Sequence, residues 1–225
     1  MIIAIDGPSG AGKSTVAKEV AKRLSFNCLD TGAMYRSIAW YALEHGLSLD
    51  DGDALGHVAA NQRIAFGHEA GNPVPRRIYI GDVEVTDAIR TAKIDRSVSA
   101  ASAHSQVRES LIEQQRRIGN AGNYVVEGRD IGTVVFPAAE VKVFLTASAE
   151  ERARRRVEQN ASRGVGSVDY EEVLADIRCR DERDSNRTAS PLVPAKDALM
   201  LDSTTMSVEE VIERIVSLAH DAGAR

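Results

Sequence analysis

Nine consecutive residues, GPSGAGKST from Gly7 to Thr15, have the composition of a phosphate cradle. They fit GxxxxGKS, in which glycines let the backbone fold around oxygens, a lysine reaches the terminal phosphates and a hydroxyl ligates a cation. Gly7, Pro8, Ser9, Gly10, Ala11 and Gly12 would form the loop, Lys13 would reach the β and γ phosphates, Ser14 would hold Mg²⁺, and Thr15 would lie in the helix whose N-terminus faces the anion. The flanks agree. MIIAID is an apolar run broken at Asp6-Gly7, as a central parallel strand would be, and helical sequence follows from about Ser14 to Leu24. A ligand-free glycine turn is the bland alternative, and spacing, lysine, hydroxyl and flanks together disfavour it. The expected occupant is the triphosphate of ATP, with Mg²⁺. A guanine-specific NTPase is disfavoured: there is no NKxD-type segment, and the one DxxG match, Asp53 to Gly56, follows no strand.

Three further groups could meet a second anion. In LDTGAMYR, Leu29 to Arg36, a strand runs into a helix opened by Thr31 and Gly32, with Arg36 about one turn inside. Amides, hydroxyl and guanidinium would then face one ligand, although a simple helix cap beside a surface charge explains the same residues. In EGRDIGTVVFP, Glu127 to Pro137, Arg129 and Asp130 stand just beyond an apolar strand, where open α/β sheets bind ligands; a structural ion pair is the alternative. From Arg152 to Arg187 there are nine Arg and no Lys, interrupted by the polar stretch Asn160 to Asp169, which reads as a lid loop. Arg180, Arg183, Asp184 and Arg187 have the spacing of one helix face, with solvated ion pairs as the competing account.

The elements that must hold these groups alternate strand and helix. Apolar runs at Met1 to Ile5, Asn27 to Leu29, Tyr124 to Glu127, Val141 to Thr146 and Ala198 to Leu201 predict a doubly wound five-stranded parallel sheet with flanking helices, including one from Ala33 to Glu44. The rhythm fails between Asp50 and Asp95. There Arg76 to Ile80 and Val83 to Val85 alternate about Gly81-Asp82, predicting a small antiparallel insertion after an exposed loop from Gly67 to Pro75. Helical sequence resumes from Asp95 to Ile118, and capping boxes are expected at Ser148 with Glu151 and Ser207 with Glu210.

Bulk properties exclude several classes. The 225 residues suit one α/β domain with an insertion, and no apolar run approaches the roughly 18 residues of a membrane span. MIIAID has no basic leader, so a cytoplasmic protein is expected. The two cysteines, Cys28 and Cys179, have no metal-type spacing and read as packed thiols. A net charge of -5 disfavours nucleic acid polymers as partners, so anions must be met locally; 22 of the 28 basic residues are Arg, whose fork suits phosphate.

Taken in order, GPSGAGKST, LDTGAMYR, IRT at Ile89 to Thr91, EGRDIGTVVFP, RDERDSNR, PLVPAKDAL and LDSTT resemble the bacterial cytidylate kinases, nucleoside monophosphate kinases of the P-loop NTP hydrolase fold, over essentially the whole chain. The resemblance implies a core at 1–49 and 96–225, a lid at about 157–170 and an inserted monophosphate-binding part at 50–95. It also implies that Thr31, Arg36, Arg129, Arg180 and Arg187 contact the acceptor or its phosphate, and that Ser99, Arg108 and Asp130 read its base. Relatives often carry Ser where this chain has Thr31, which keeps the hydroxyl. Lys13, Arg129, Arg180 and Arg187 would stabilise transfer from ATP, with Asp184 organising the arginines. The implied acceptors are CMP and dCMP, and the implied state is a monomer.

Overall fold

The computed structural model describes residues 1–187 and 189–224. In chain order its elements are β1 Ile2–Asp6, α1 Lys13–Leu24, β2 Asn27–Asp30, α2 Thr31–Glu44, α3 Gly52–Asn61, β3 Ile64–Gly67, β4 Arg77–Ile80 and β5 Val83–Glu84. Then come α4 Ala92–Ala101, α5 Ser105–Gly119, β6 Tyr124–Gly128, β7 Val141–Thr146, α6 Ala149–Arg163, α7 Tyr170–Ser185, β8 Leu199–Asp202 and α8 Val208–Asp221, with a short π-turn at Ile131–Val135. The main sheet has the order β2-β6-β1-β7-β8, parallel throughout. All five expected strands are present, with ends shifted by a residue or so.

β1 is buried along its whole length, so its side chains fill both faces of the sheet. Ile3 and Ile5 join Val16, Val20, Ile212 and Ile215 beneath α1 and α8, while Ala4 joins Met34, Ile38, Leu111 and Ile131 on the opposite face. Helices on both faces bring the strand ends Asp6, Asp30 and Gly128 to one edge, where loops can present ligand groups.

The insertion contains one strand more than expected. β3 pairs antiparallel with β4, which pairs with β5 across a turn in which Gly81 takes a positive φ of 57°. β3 was not legible because its only strongly buried residue is Ile64. Ile64, Ile78, Ile80 and Val85 share one apolar core with α2, α3 and α5. The loop before β4 is anchored to the main sheet rather than free in solvent: the Cys28 amide donates to Pro73 O at 3.0 Å and Val74 packs against the α1 face. It thereby covers part of an edge strand, where backbone groups would otherwise be open to pairing.

Four local expectations need correction. The cap of α2 is Asp30, whose carboxylate accepts from Ala33 N, and Thr31 is the first helical residue. At α6 only half of a capping box forms. Ser148 accepts from Glu151 N, but Glu151 turns to Arg154 and Arg155, and the Ser148 amide donates to Thr204 Oγ1 instead. The box at Ser207 and Glu210 is complete. The lid loop is shorter than Asn160 to Asp169 because α6 continues to Arg163 and stops at Gly164, which takes a left-handed φ of 64°. Cys28 is buried, but Cys179 is exposed, on a turn of α7 that faces solvent.

Candidate active site

A cleft of about 1020 Å³ opens along the strand ends. One wall is the loop between β1 and α1. Gly7 is needed there because a Cβ would come within 1.9 Å of Leu145 O, and Gly12 starts α1 from a left-handed conformation (φ 92°) that L side chains rarely adopt. Lys13 is buried and donates to Pro8 O at 2.7 Å. Burial and the neighbouring Arg129 push its ammonium well below its usual range. Ser14 Oγ donates to Glu127 Oε2 at 2.7 Å, and the other oxygen, Oε1, is buried without a partner. Burial, then the charge of Asp30, raise Glu127 to about 7.

The facing wall is assembled from four elements. Arg36 of α2 pairs with Asp30 at 2.9 Å. Thr31 is buried and donates to Glu127 O at 2.7 Å, so its hydroxyl joins α2 to the end of β6 while lining the cleft. Arg129 Nε donates to Asp184 Oδ2 at 2.9 Å. Burial works to raise Asp184, yet Arg129 and Arg180 outweigh it and hold the carboxyl below its usual range. Burial, then Arg129, lower Arg180 to about 10. The Nε atoms of Arg36, Arg180 and Arg187 are buried and lack protein partners, as expected of guanidiniums arranged for an anion.

Deeper in the cleft, Arg108 and Asp130 form a buried ion pair. Arg108 also lies 5.5 Å from the ring centre of Tyr35 and approaches Ser102 O at 3.5 Å. A carboxylate and a guanidinium so confined can present an acceptor and a donor side by side to a heterocycle.

The cleft thus gathers every expected site residue except Gly7, Pro8, Ala11 and Ser99. Three of these support the loop from behind. Ser99 instead lines a neighbouring pocket of about 350 Å³ between α4 and α7, and Ser102, one turn further on, lines the main cleft. Arg183 also belongs to that second pocket. The single arginine face therefore splits: Arg180 and Asp184 face the cleft, Arg183 points aside, and Arg187 reaches the cleft from beyond the end of α7. Sequence reasoning missed Glu127, Arg90 and Arg156. Glu127 and Arg90 lay inside motifs already singled out, whereas Arg156, which donates to Ser9 Oγ at 3.1 Å and pairs with Asp95 at 3.6 Å, was indistinguishable from its charged neighbours on α6.

A phosphate loop on one wall and clustered guanidiniums on the other define a P-loop phosphotransferase. The fold agrees: the shikimate kinase of Bacteroides thetaiotaomicron superimposes with a TM-score of 0.50 over 98% of both chains at 13% identity. The profile of the family described as cytidylate kinase matches residues 3–221. The cytidylate kinase of Exiguobacterium sibiricum is 47% identical over 98% of this chain and 97% of its own length, and that of Pseudomonas aeruginosa is 50% identical over 96% and 93%. The chain belongs to the cytidylate kinase family.

Proposed function

We propose that the protein transfers the γ-phosphoryl group of Mg·ATP reversibly to CMP or dCMP, giving ADP and CDP or dCDP. The carrying observation is the cleft with an anion cradle on each wall and the buried Arg108–Asp130 pair at its inner end. In this reading Gly7 to Thr15 and Lys13 hold the triphosphate. Thr31, Arg36, Arg129, Arg180 and Arg187 hold the acceptor phosphate. Asp130 accepts from the exocyclic amine of cytosine while Arg108 donates to its acceptor edge. Uracil would leave the carboxylate facing a carbonyl, which such a site rejects more strongly than an apolar pocket could. Ser99 would need to move relative to Asp130 to join the same base, and Ser102 is better situated in this conformation.

An acceptor phosphate oxygen attacks the γ phosphorus in line as the bond to the β,γ-bridging oxygen breaks, and ADP departs. Lys13, released from Pro8 O, follows the charge, while Arg129, Arg180 and Arg187, oriented by Asp184, face the transferring group. No general base is required, because a phosphate monoester with a second pKa of about 6 is largely dianionic at neutral pH. The donor set suits a hard cation: the Ser14 hydroxyl and Glu127 carboxylate are oxygen ligands, and among the described residues no cluster of three His, Cys, Asp or Glu could hold an ion alone. Mg²⁺ would thus arrive with phosphates and waters and, when bound, neutralise charge between the β and γ groups.

We further assign 50–95 as the monophosphate-binding insertion, 157–170 as the lid, and a monomeric cytoplasmic state. Among the described residues no helix is long and apolar enough to cross a membrane. An acceptor panel of CMP, dCMP, UMP, AMP and shikimate at one Mg·ATP concentration, read by ADP release, tests the reading. CMP and dCMP should be fastest. Faster turnover with UMP or AMP would remove the base assignment, and no release above background with any acceptor would remove the enzymatic reading.

A further inference from the structure

Asp6 closes β1 one residue before the phosphate loop, yet its carboxylate faces a different segment. It is 4% exposed; Oδ1 accepts from Ile131 N at 2.8 Å and Oδ2 from Gly132 N at 2.7 Å. Those amides open the π-turn Ile131–Val135, and first-turn amides have no partner within their own helix. The turn begins at Asp130, whose carbonyl accepts from Val134 N at 2.9 Å and Val135 N at 3.1 Å. In the sheet Asp6 stands opposite Gly128, so the chain leaves β6, passes through Arg129 and Asp130, and is drawn back onto β1 by this one carboxylate. Gly132 packs closely here: a Cβ on it would lie 3.2 Å from Lys142 Cδ and 3.4 Å from Asp6 Oδ2.

We propose that Asp6 is a positioning residue for acceptor selection, which, by holding the amides of Ile131 and Gly132, fixes Asp130 and through it Arg108 in register with the acceptor base. This rests on the reading that Asp130 and Arg108 face that base. Only an ionised carboxylate accepts both amides. An asparagine would turn its NH₂ toward one of them, leaving a buried donor unpaired in the two residues after Asp130.

The same geometry gives a pH signature. Burial raises Asp6 to about 6, offset by the Gly132 and Ile131 amides, with Asp130 raising it further and Lys13 opposing. Lys142 of β7 packs its stem nearby but turns its ammonium to Pro137 O and Asp197. As pH falls through about 6 the carboxyl gains a proton, one oxygen becomes a donor facing an amide, and the clamp loosens.

The test is steady-state kinetics of wild type, Asp6→Asn and Asp130→Ala with CMP and UMP at saturating Mg·ATP, from about pH 5.5 to about pH 8. The ratio of kcat/KM for CMP over UMP cancels the titration of the acceptor phosphate, which both share. In Asp6→Asn this ratio should fall about tenfold through the KM for CMP, with the KM for ATP within about twofold of wild type. In wild type the ratio should decline below about pH 6, and in Asp6→Asn it should be flat. Loss of the ratio in Asp130→Ala with its retention in Asp6→Asn overturns the clamp alone. Retention in Asp130→Ala overturns the base assignment and the clamp with it. Should Asp6→Asn fail to fold, a pH-independent ratio in wild type still overturns the proposal.

Discussion

Lys13 is the residue on which transfer depends most, and its present partner shows why. Its ammonium, hydrogen-bonded to a carbonyl of its own loop and flanked by Arg129, sits in an environment that disfavours its charge. A polyphosphate reverses that, since added negative charge restores the ammonium and removes the repulsion. Lys13→Ala should therefore lower kcat by about 10²–10³ with every acceptor alike, the size seen when one transition-state donor is removed. A loss confined to cytidine acceptors would contradict this. The motif gave Lys13 and Ser14 their types and spacing, yet it could not give Glu127, because the Ser14–Glu127 hydrogen bond joins residues 113 apart in the chain. Ser99 was hard to place for a related reason: four serines share Ser97 to Ser105, and which of them faces the cleft depends on the rotation of α4 and on where it ends, which their chemistry does not encode.

At the scale of elements, local signals sufficed where a segment's own pattern decides its state. The five core strands are short apolar runs, and caps or glycines mark several helix ends. Where a long side chain chooses between neighbours, the pattern was silent. Arg152 is one of nine arginines in its stretch, yet it alone is 5% exposed. Its guanidinium forks onto Asp181 of α7 at 2.7 and 3.1 Å and donates to Ala147 O at 2.9 Å and Ser9 O at 3.2 Å, tying α6, α7 and the phosphate loop together. Arg154, two residues on, is half exposed and pairs within its own helix, where such contacts contribute about 0.3–0.5 kcal/mol. Arg152→Ala should cost about 1–3 kcal/mol in urea denaturation, because Asp181, 26% exposed, keeps access to water while the carbonyls of Ala147 and Ser9 lose their donor, and it should raise the KM for ATP by loosening Ser9. Arg154→Ala should stay within about 0.5 kcal/mol of wild type. Equal losses for the two variants would show that burial of the guanidinium is not what matters.

Over the whole molecule, a net charge of -5 coexists with a cleft whose arginines retain unpaired donors at Arg36, Arg108, Arg180 and Arg187. The excess acid therefore lies elsewhere, and the cleft concentrates like charges and guanidinium donors without protein partners. Anionic ligands should relieve both, and most strongly when one molecule spans the two walls, because the cost of association is then met once for both sets of contacts. A dinucleotide in which adenosine and cytidine are joined by five phosphates carries both nucleosides and the anionic groups for both walls in one molecule. At about 100 times its dissociation constant any single ligand stabilises by about 2.7 kcal/mol, which for a chain of this length is about 5–10 °C in Tm. Mg·ATP or CMP alone should approach that shift only near saturation, whereas the dinucleotide should reach it at concentrations at least about tenfold lower than either. Replacing its cytidine by uridine should return the midpoint concentration toward that of ATP. If the adenosine–cytidine compound shifts Tm at no lower concentration than ATP does, the two walls do not act on one ligand, and the cleft is a donor site with its acceptor bound elsewhere.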